Sequence, residues 1–337
     1  MDWVAGVFDA AQQWVFENTI QPLLFMLGWG GILESGYVAA GWLLVGTLQI
    51  AVICLVIGPL QKWKPVEPVV NKAAVRVDVL YTLIHRLGVF RVAVFFLLTP
   101  LMDSMFGALR LIGFSPLQLD GLLPGVTDIP WVSLLIYLVV FDFVDYWIHR
   151  GQHHFEWWWK LHALHHSQQQ MTMWTDNRNH LLDDVLRDII LVVVAQCIGV
   201  APTQFIAIVA ITQLSESFQH ANLRLWFGSI GERLWISPRF HRRHHSIGIG
   251  HETVQTPKGG KLGHPADARK VVLGGHNFGV LLPWWDMLMG TANFELRYDP
   301  TGIRDQVEPD AHGHVRDYGK GFWSQQWLGI CRLLRRA

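Results

Sequence analysis

Charge is scarce in this chain. Only 16% of its 337 residues are Asp, Glu, Lys or Arg, against about a quarter in an ordinary soluble domain. The charges cancel to a formal net of zero, so no electrostatic footprint for nucleic acid exists and none is expected as a partner. Cysteine is scarcer still. Cys54, Cys197 and Cys331 are scattered, with no CxxC pair, which excludes a disulfide framework and a thiolate zinc site. HExxH is missing, because His251-Glu252 lacks its second histidine, and no Glu-x-x-His pair of the ferritin-like kind occurs. A GxGxxG fingerprint is also missing, so nothing in the chain announces a nucleotide or flavin domain. The first 30 residues hold Asp2, Asp9 and Glu17 but no basic n-region; a cleavable signal peptide is not expected.

Apolar and aromatic residues fill the space. Half the chain is hydrophobic (51%) and mean hydropathy is +0.24. Runs near the 20 residues needed to cross a bilayer as a helix occur at 39–60, 88–114 and 131–148, and two shorter ones at 189–200 and 202–218. The second contains Pro100 and Asp103. The last two, joined at Gly199–Pro202, fit either a hairpin dipping into the bilayer or two full crossings with snorkelling ends. Trp3, Phe8, Trp14 and Phe16 predict an interfacial helix before the first span. The expectation is an all-α integral membrane protein with about four to five transmembrane or hairpin helices. Lys62, Lys64, Lys72 and Arg76 follow the first span, which places that end in the cytoplasm. The same side then receives residues 150–180 and everything after His220, a multi-pass arrangement with a cytosolic histidine-rich helical cap. Arg332, Arg335 and Arg336 on the last amphipathic stretch suit an anionic leaflet. Residues 248–275, rich in Gly, Lys and Pro, read as a long loop.

The 17 histidines need a separate explanation. Three clusters stand out: His149–His153–His154, spaced HxxxH plus one, and two HxxHH sets, His162–His165–His166 and His241–His244–His245. On a helix, positions three and four apart share a face. Each cluster can therefore aim two or three imidazoles at one point. At this histidine frequency about 0.04 chance HxxHH matches are expected per chain, and two occur. Imidazole suits iron, zinc, copper and nickel, and the eight clustered histidines other than His154 exceed one tetrahedral ion, so a pair of metals fits better. His154 points about 100° from His153 and is set aside as a ligand. His85, His251, His264, His312 and His314 are isolated and read as solvated or structural. His180 and His220, where the apolar runs meet the clusters, are read as further ligands, against a role in supporting the ligands or capping a helix. Asp145, one turn before His149, and Glu216, one turn before His220, are the expected hydrogen-bond partners of the ligands. Asp142 fits the same role or a salt bridge to Arg150 or Arg187. Trp157, Trp158, Trp174 and Trp284 either line a substrate cavity or form the interfacial belt.

In order, HR-xx-HH, WKLHALHHS, FQHAN, SPRFHRRHHS and NFG-xxx-PWWDMLMGT run from His149 to Thr291. This series resembles the fatty acid hydroxylase/sterol desaturase superfamily over about residues 141–291. The resemblance implies a di-iron centre with two Fe ions, O2 as co-substrate, and an oxidoreductase of the monooxygenase type. It further implies hydroxylation or desaturation of a lipid such as an acyl chain, a sterol or a headgroup, with electrons from a separate ferredoxin- or cytochrome-type protein. It divides the chain into an interfacial segment (1–38), transmembrane helices outside the match (39–140), the catalytic domain (141–291) and a basic amphipathic tail (292–337). One departure is Gly275, two positions before Asn277, where the family commonly has an acid. Two other readings compete: a membrane zinc-dependent lipid hydrolase, and a non-enzymatic metal or haem membrane protein. Zinc usually needs only three ligands and water, and paired haem ligands would lie deep inside spans rather than at their ends.

Overall fold

The computed structural model describes residues 2–248, 252–254, 271–310 and 312–335, without the side chains of residues 2–5, 89, 91–97, 99, 100, 103, 252–254 and 271–273. His251, His264, Arg336 and most of the 248–275 loop lie outside the described residues.

Among the described residues the regular elements are helices, apart from one antiparallel strand pair, β1 (Glu252–Val254) with β2 (Val271–Leu273), set within the stretch expected to be loop throughout. Helix α1 (Asp2–Val15) folds back on α2 (Leu33–Val52). The Gln12 amide donates to the Tyr37 carbonyl and Phe16 meets Tyr37 edge-on, 5.5 Å between centroids. Through a π turn α2 continues to Trp63, so that Gly30–Trp63 forms one 34-residue helical run. Helix α3 (Lys72–Arg86) starts at an Asn71 cap that accepts from Ala74 N. α4 (Val89–Leu111) runs unbroken through Pro100. α5 (Pro130–His154) and α6 (Glu156–His166) are separated only by Phe155. α7 (Leu181–Ile198) and α8 (Pro202–Gln219) form the hairpin, α9 (Pro238–His244) and α10 (Trp284–Met289) are short, and α11 (Phe322–Leu333) packs along α6.

Among the described residues two helices are long and apolar enough to cross a membrane, Gly30–Trp63 and Pro130–His154. Their outward side chains support the assignment. Leu48, Leu55 and Val56 on one and Trp131, Leu135 and Trp147 on the other are exposed, a continuous apolar face that water would penalise. α7 and α8 each have 18 residues, about 27 Å of helix against a hydrocarbon core of about 30 Å. Their corner requires glycine: Gly199 has φ +69° and a Cβ there would lie 2.4 Å from the Gln118 amide. Pro202 then opens α8 at its first turn, where its missing N–H costs nothing.

The apolar core joins α5, α7 and α8 through Tyr137, Phe141, Leu191 and Ile208, and is closed by Leu281 and Leu282. Asp142 serves this closure. Its carboxylate accepts the Leu281 and Leu282 backbone N–H groups and the Trp285 indole, rather than pairing with Arg150 or Arg187. The C-terminal arginines divide. Arg332 turns inward, its guanidinium over the Tyr318 ring at 4.5 Å and its Nε donating to Lys160 O, while Arg335 is exposed. The tail is thus less basic at its surface than the sequence reads.

Candidate metal centre

Helical periodicity places the ligands. Residues four apart differ by about 40° around a helix and adjacent residues by about 100°. His149 and His153 on α5, His162 and His166 on α6, and His244 on α9 gather in one group; His165, His220, His241 and His245 gather in another. Every i,i+4 pair stays together, and both adjacent pairs, His165–His166 and His244–His245, divide between the groups. The idea that a whole HxxHH set converges on one point is thereby corrected: the i+3 member of each serves the neighbouring group. Within a group the candidate ligand atoms lie within 4.8 Å of one another, and all nine residues are buried. The groups abut, with the His166 and His245 rings stacked at 4.2 Å.

Hydrogen bonds fix which nitrogen faces inward. His149 Nδ1 donates to Phe278 O at 2.8 Å and His244 Nδ1 to His276 O at 2.8 Å, while His162 Nδ1 is 3.0 Å from Asp183 Oδ2. In all three, Nε2 is buried without a hydrogen-bond partner. His220 Nδ1 donates to Glu216 O at 2.8 Å. A carbonyl only accepts, so the His220 proton sits on Nδ1 and Nε2 presents a lone pair. That lone pair faces His165 Nε2 at 3.1 Å and His241 Nε2 at 3.0 Å; His245 Nε2 is 3.1 Å from His241 Nε2. Nitrogens bound about 2.1 Å from a shared ion at right angles would be about 3.0 Å apart. Burial first, then neighbouring imidazoles, holds His165, His166, His241, His244 and His245 well below the usual imidazole range. They stay neutral at neutral pH, with lone pairs free for a cation. Orphaned inward nitrogens and an all-imidazole donor set fit two ions of the iron, zinc, copper or nickel kind.

His180 is not brought to either group. Its Nδ1 accepts from Leu182 N and its Nε2 meets Gln326 O at 2.9 Å, so both ring nitrogens are occupied in capping α7 and docking α11. The acids also move. Asp145 accepts from Arg187 Nε at 2.9 Å, and the Glu216 carboxylate stands 3.7 Å from the same guanidinium. Neither carboxylate is seen hydrogen-bonded to a ligand ring; Glu216 serves His220 through its backbone carbonyl. Asp183 takes the expected role, bridging His162, the Gln152 amide and the Trp158 indole. Its signal in the sequence was its position in the first turn of a helix, where a carboxylate is stabilised. His154 is exposed, and His85 is structural, bonded to Tyr81 O and Asp184.

The NFG and PWWDMLMGT segments build the wall that presents two of the carbonyls. Asp286 accepts from Phe278 N, Gly279 N and Thr291 Oγ1. Asn277, at φ 60°, donates to Phe240 O and accepts from Asn293 N. A Cβ on Gly279 would lie 2.8 Å from both Asp286 Oδ2 and Leu282 O, so only glycine fits this buckle. Beside Gly275 it is the His276 carbonyl that holds the cage. On the far side, Asp78 ties α3 to Arg178, Gln168 and Thr175, and Arg86 ties it to Asp176. Of the four tryptophans, Trp158 is buried against Asp183 and Trp174 packs beside Ile53 and Ile57, while Trp157 and Trp284 are exposed. None lines the small cavity at the cage.

A helical scaffold with apolar outer faces and a divided polyhistidine cage is the architecture expected of a membrane metal enzyme. Residues 134–291 match the profile described as fatty acid hydroxylase. The ornithine lipid hydroxylase OlsE of Rhizobium tropici is 26% identical over 193 residues. That match covers 57% of this chain and 49% of the relative, so the chain spans about half the length of the curated relative it matches. No solved structure matches.

Proposed function

We propose that the chain is a multi-pass membrane hydroxylase of a lipid, dependent on O2 and on two iron ions, with its metal site facing the cytoplasm. The observation that carries this reading is the division of nine buried histidines into groups of five and four. Five imidazoles in one group exceed a tetrahedral zinc site, and the family match and the lipid hydroxylase relative support oxygen insertion. When bound, the iron pair supplies the site at which O2 is reduced and a C–H bond oxidised. The balance is one C–H bond and O2, with two electrons and two protons, giving C–OH and water. The electrons come from a separate ferredoxin- or cytochrome-type carrier.

The chain's own residues prepare this chemistry. Phe278 O, His276 O, Glu216 O and Asp183 hold the Nδ1 positions, leaving the opposite nitrogens as donors. Asp286 and Asn277 keep the loop carbonyls in place. The catalytic domain is residues 141–291. Residues 1–38 lie at the interface, 39–140 contribute spans, and 292–337 close the cap through α11.

The test combines metal analysis of purified protein with lipid profiling of cells that carry the chain, lack it, or carry His165→Ala. Stoichiometric iron and a lipid heavier by one oxygen only with the intact chain are expected. Stoichiometric zinc with full turnover in strict anaerobiosis would refute the oxygenase reading in favour of a hydrolase.

A further inference from the structure

The His85 ring ties α3 to α7, and the same two bonds set its proton count. Nδ1 lies 2.8 Å from Tyr81 O and Nε2 lies 2.9 Å from Asp184 Oδ2. A carbonyl oxygen only accepts, so Nδ1 carries a proton. The second contact needs a proton as well, either on Nε2 facing a carboxylate or on Asp184 facing a bare Nε2. The pair therefore holds one proton beyond a neutral imidazole and an ionised carboxylate, and that proton can sit on either partner. The other charged or titratable groups around it are Tyr81 and Arg86 on α3, Asp176 in the turn before α7, Arg187 and Asp188 on α7, and Glu216 on α8. From α4 the Phe90 ring stands 4.9 Å away. Both side chains of the pair keep a small exposed edge, 8% for His85 and 12% for Asp184, through which solvent can exchange the proton.

Two cavities lead inward from the pair. One of about 30 Å³ is lined by His85 and Asp184 themselves; one of about 50 Å³ reaches His165, His220 and His241 of the cage. Asp176, Asn179, Asp184, Arg187 and Glu216 line both, so the two are contiguous. At roughly 10–15 Å³ for one water, they have room for about two or three waters and about three to five. Their walls suit water because they offer donors and acceptors together. Arg187 brings N–H groups beyond the one given to Asp145. Gln219 brings an acceptor: its amide nitrogen donates to Val280 O at 2.7 Å and Ser215 Oγ at 2.9 Å, and its Oε1 is buried without a hydrogen-bond partner. The two guanidinium groups on the way do not repel a proton unopposed. Arg86 pairs with Asp176 at 2.6 Å, and Arg187 with Asp145 at 2.9 Å, with Glu216 at 3.7 Å.

We propose that the His85–Asp184 pair is the proton donor for oxygen reduction at the cage, delivering through these two cavities. The inference rests on the lipid-hydroxylase reading above and supplies the two protons that its balance consumes. One oxygen atom of O2 enters the lipid as C–OH. The other leaves as water, with two electrons from the carrier and two protons from the pair. In each delivery the N–H bond at His85 Nε2, or the O–H bond at Asp184, breaks as an O–H bond to the first cavity water forms. Solvent at the exposed edge of the pair returns the proton. His85 lies outside residues 134–291, so a residue beyond the matched segment takes part in the reaction.

The test uses membranes of cells carrying the full chain, supplied with NADH and NADPH, in which the native lipid and electron carrier are present. Lipid gaining one oxygen is read by mass in ordinary and in deuterated water. His85→Gln and Asp184→Asn keep a hydrogen bond between the two side chains but cannot pass a proton. Each is expected to lower oxygen insertion on the order of 100-fold, the lower end of what a general acid contributes, and to raise the solvent isotope effect with metal content unchanged. Asp184→Glu, which keeps a carboxyl group, should restore most of the rate. A second readout needs no turnover. In purified, zinc-substituted protein at neutral pH, nitrogen NMR should show a doubly protonated ring that disappears in His85→Gln, or infrared spectra a carboxylic acid band that disappears in Asp184→Asn. Full oxygen insertion by both variants, loss of rate without a raised isotope effect, or absence of both spectroscopic signals overturns the proposal while leaving the hydroxylase reading in place. If the intact chain adds oxygen to no lipid, the hydroxylase reading falls and the relay falls with it.

Discussion

The two histidine groups share α6 and α9 yet are held in different ways. In the five-histidine group, three Nδ1 positions are pinned from outside the helices, by Phe278 O, His276 O and Asp183. In the four-histidine group, His220 is pinned by a carbonyl of its own helix, while His165 Nδ1 and His241 Nδ1 have no hydrogen-bond partner. One group is thus positioned by tertiary structure. The other follows mainly from helical periodicity and contact among its own rings. The difference teaches that remote loops govern one metal position far more than the other.

The largest effect should come from removing a ring at the seam. His166→Ala or His245→Ala should abolish turnover and lower bound metal from about two ions per chain to about one, since nothing else can complete the group; metal analysis of the purified variants reads this directly. Next comes the loop wall. Asp286→Ala frees the Phe278 and Gly279 N–H groups and should lower stability by about 2–4 kcal/mol, seen as a fall in Tm together with weakened binding in the five-histidine group. Asp183→Asn is subtler. It should reduce metal affinity in that group by about 10–100-fold and leave the four-histidine group intact, giving a two-phase titration; equal loss from both groups would break the comparison. The smallest effect is expected outside the cage. His180→Ala should cost about 1–2 kcal/mol through the α7 cap and the α11 dock with metal content unchanged, and loss of an ion would return His180 to the ligand set.

Much of the cage was legible because its rule is local. Four-residue spacing on a helix is visible in a string of letters, and nine of the ten candidate ligands fall in the two groups. The division of each HH pair follows from the same period, taken one residue further. The pinning atoms were not legible for a different reason. Phe278 O, His276 O and Glu216 O are backbone carbonyls, which no residue letter announces. Asp183 reaches His162 only after α7 has packed against α6. Asp145 and Glu216 sit at the right spacing but turn toward Arg187, because a partly buried guanidinium competes for carboxylates more strongly than a neutral ring does. α3 passed unnoticed as an element since its mixed polar sequence has no apolar run; its buried face consists of Asp78, Tyr81, Thr82, His85 and Arg86, held by ion pairs that exist only in the folded chain.

The adjacent histidines at 165–166 and 244–245 belong to different groups, and consecutive Cα atoms are about 3.8 Å apart. Each dipeptide is therefore a short rigid yoke between the two metal positions. Sliding or rolling α6 or α9 moves a ligand of both positions at once, in directions fixed by the peptide geometry. The two positions behave mechanically as one body, and a single-residue insertion in either helix would exchange the partners of its histidines rather than merely loosen one site.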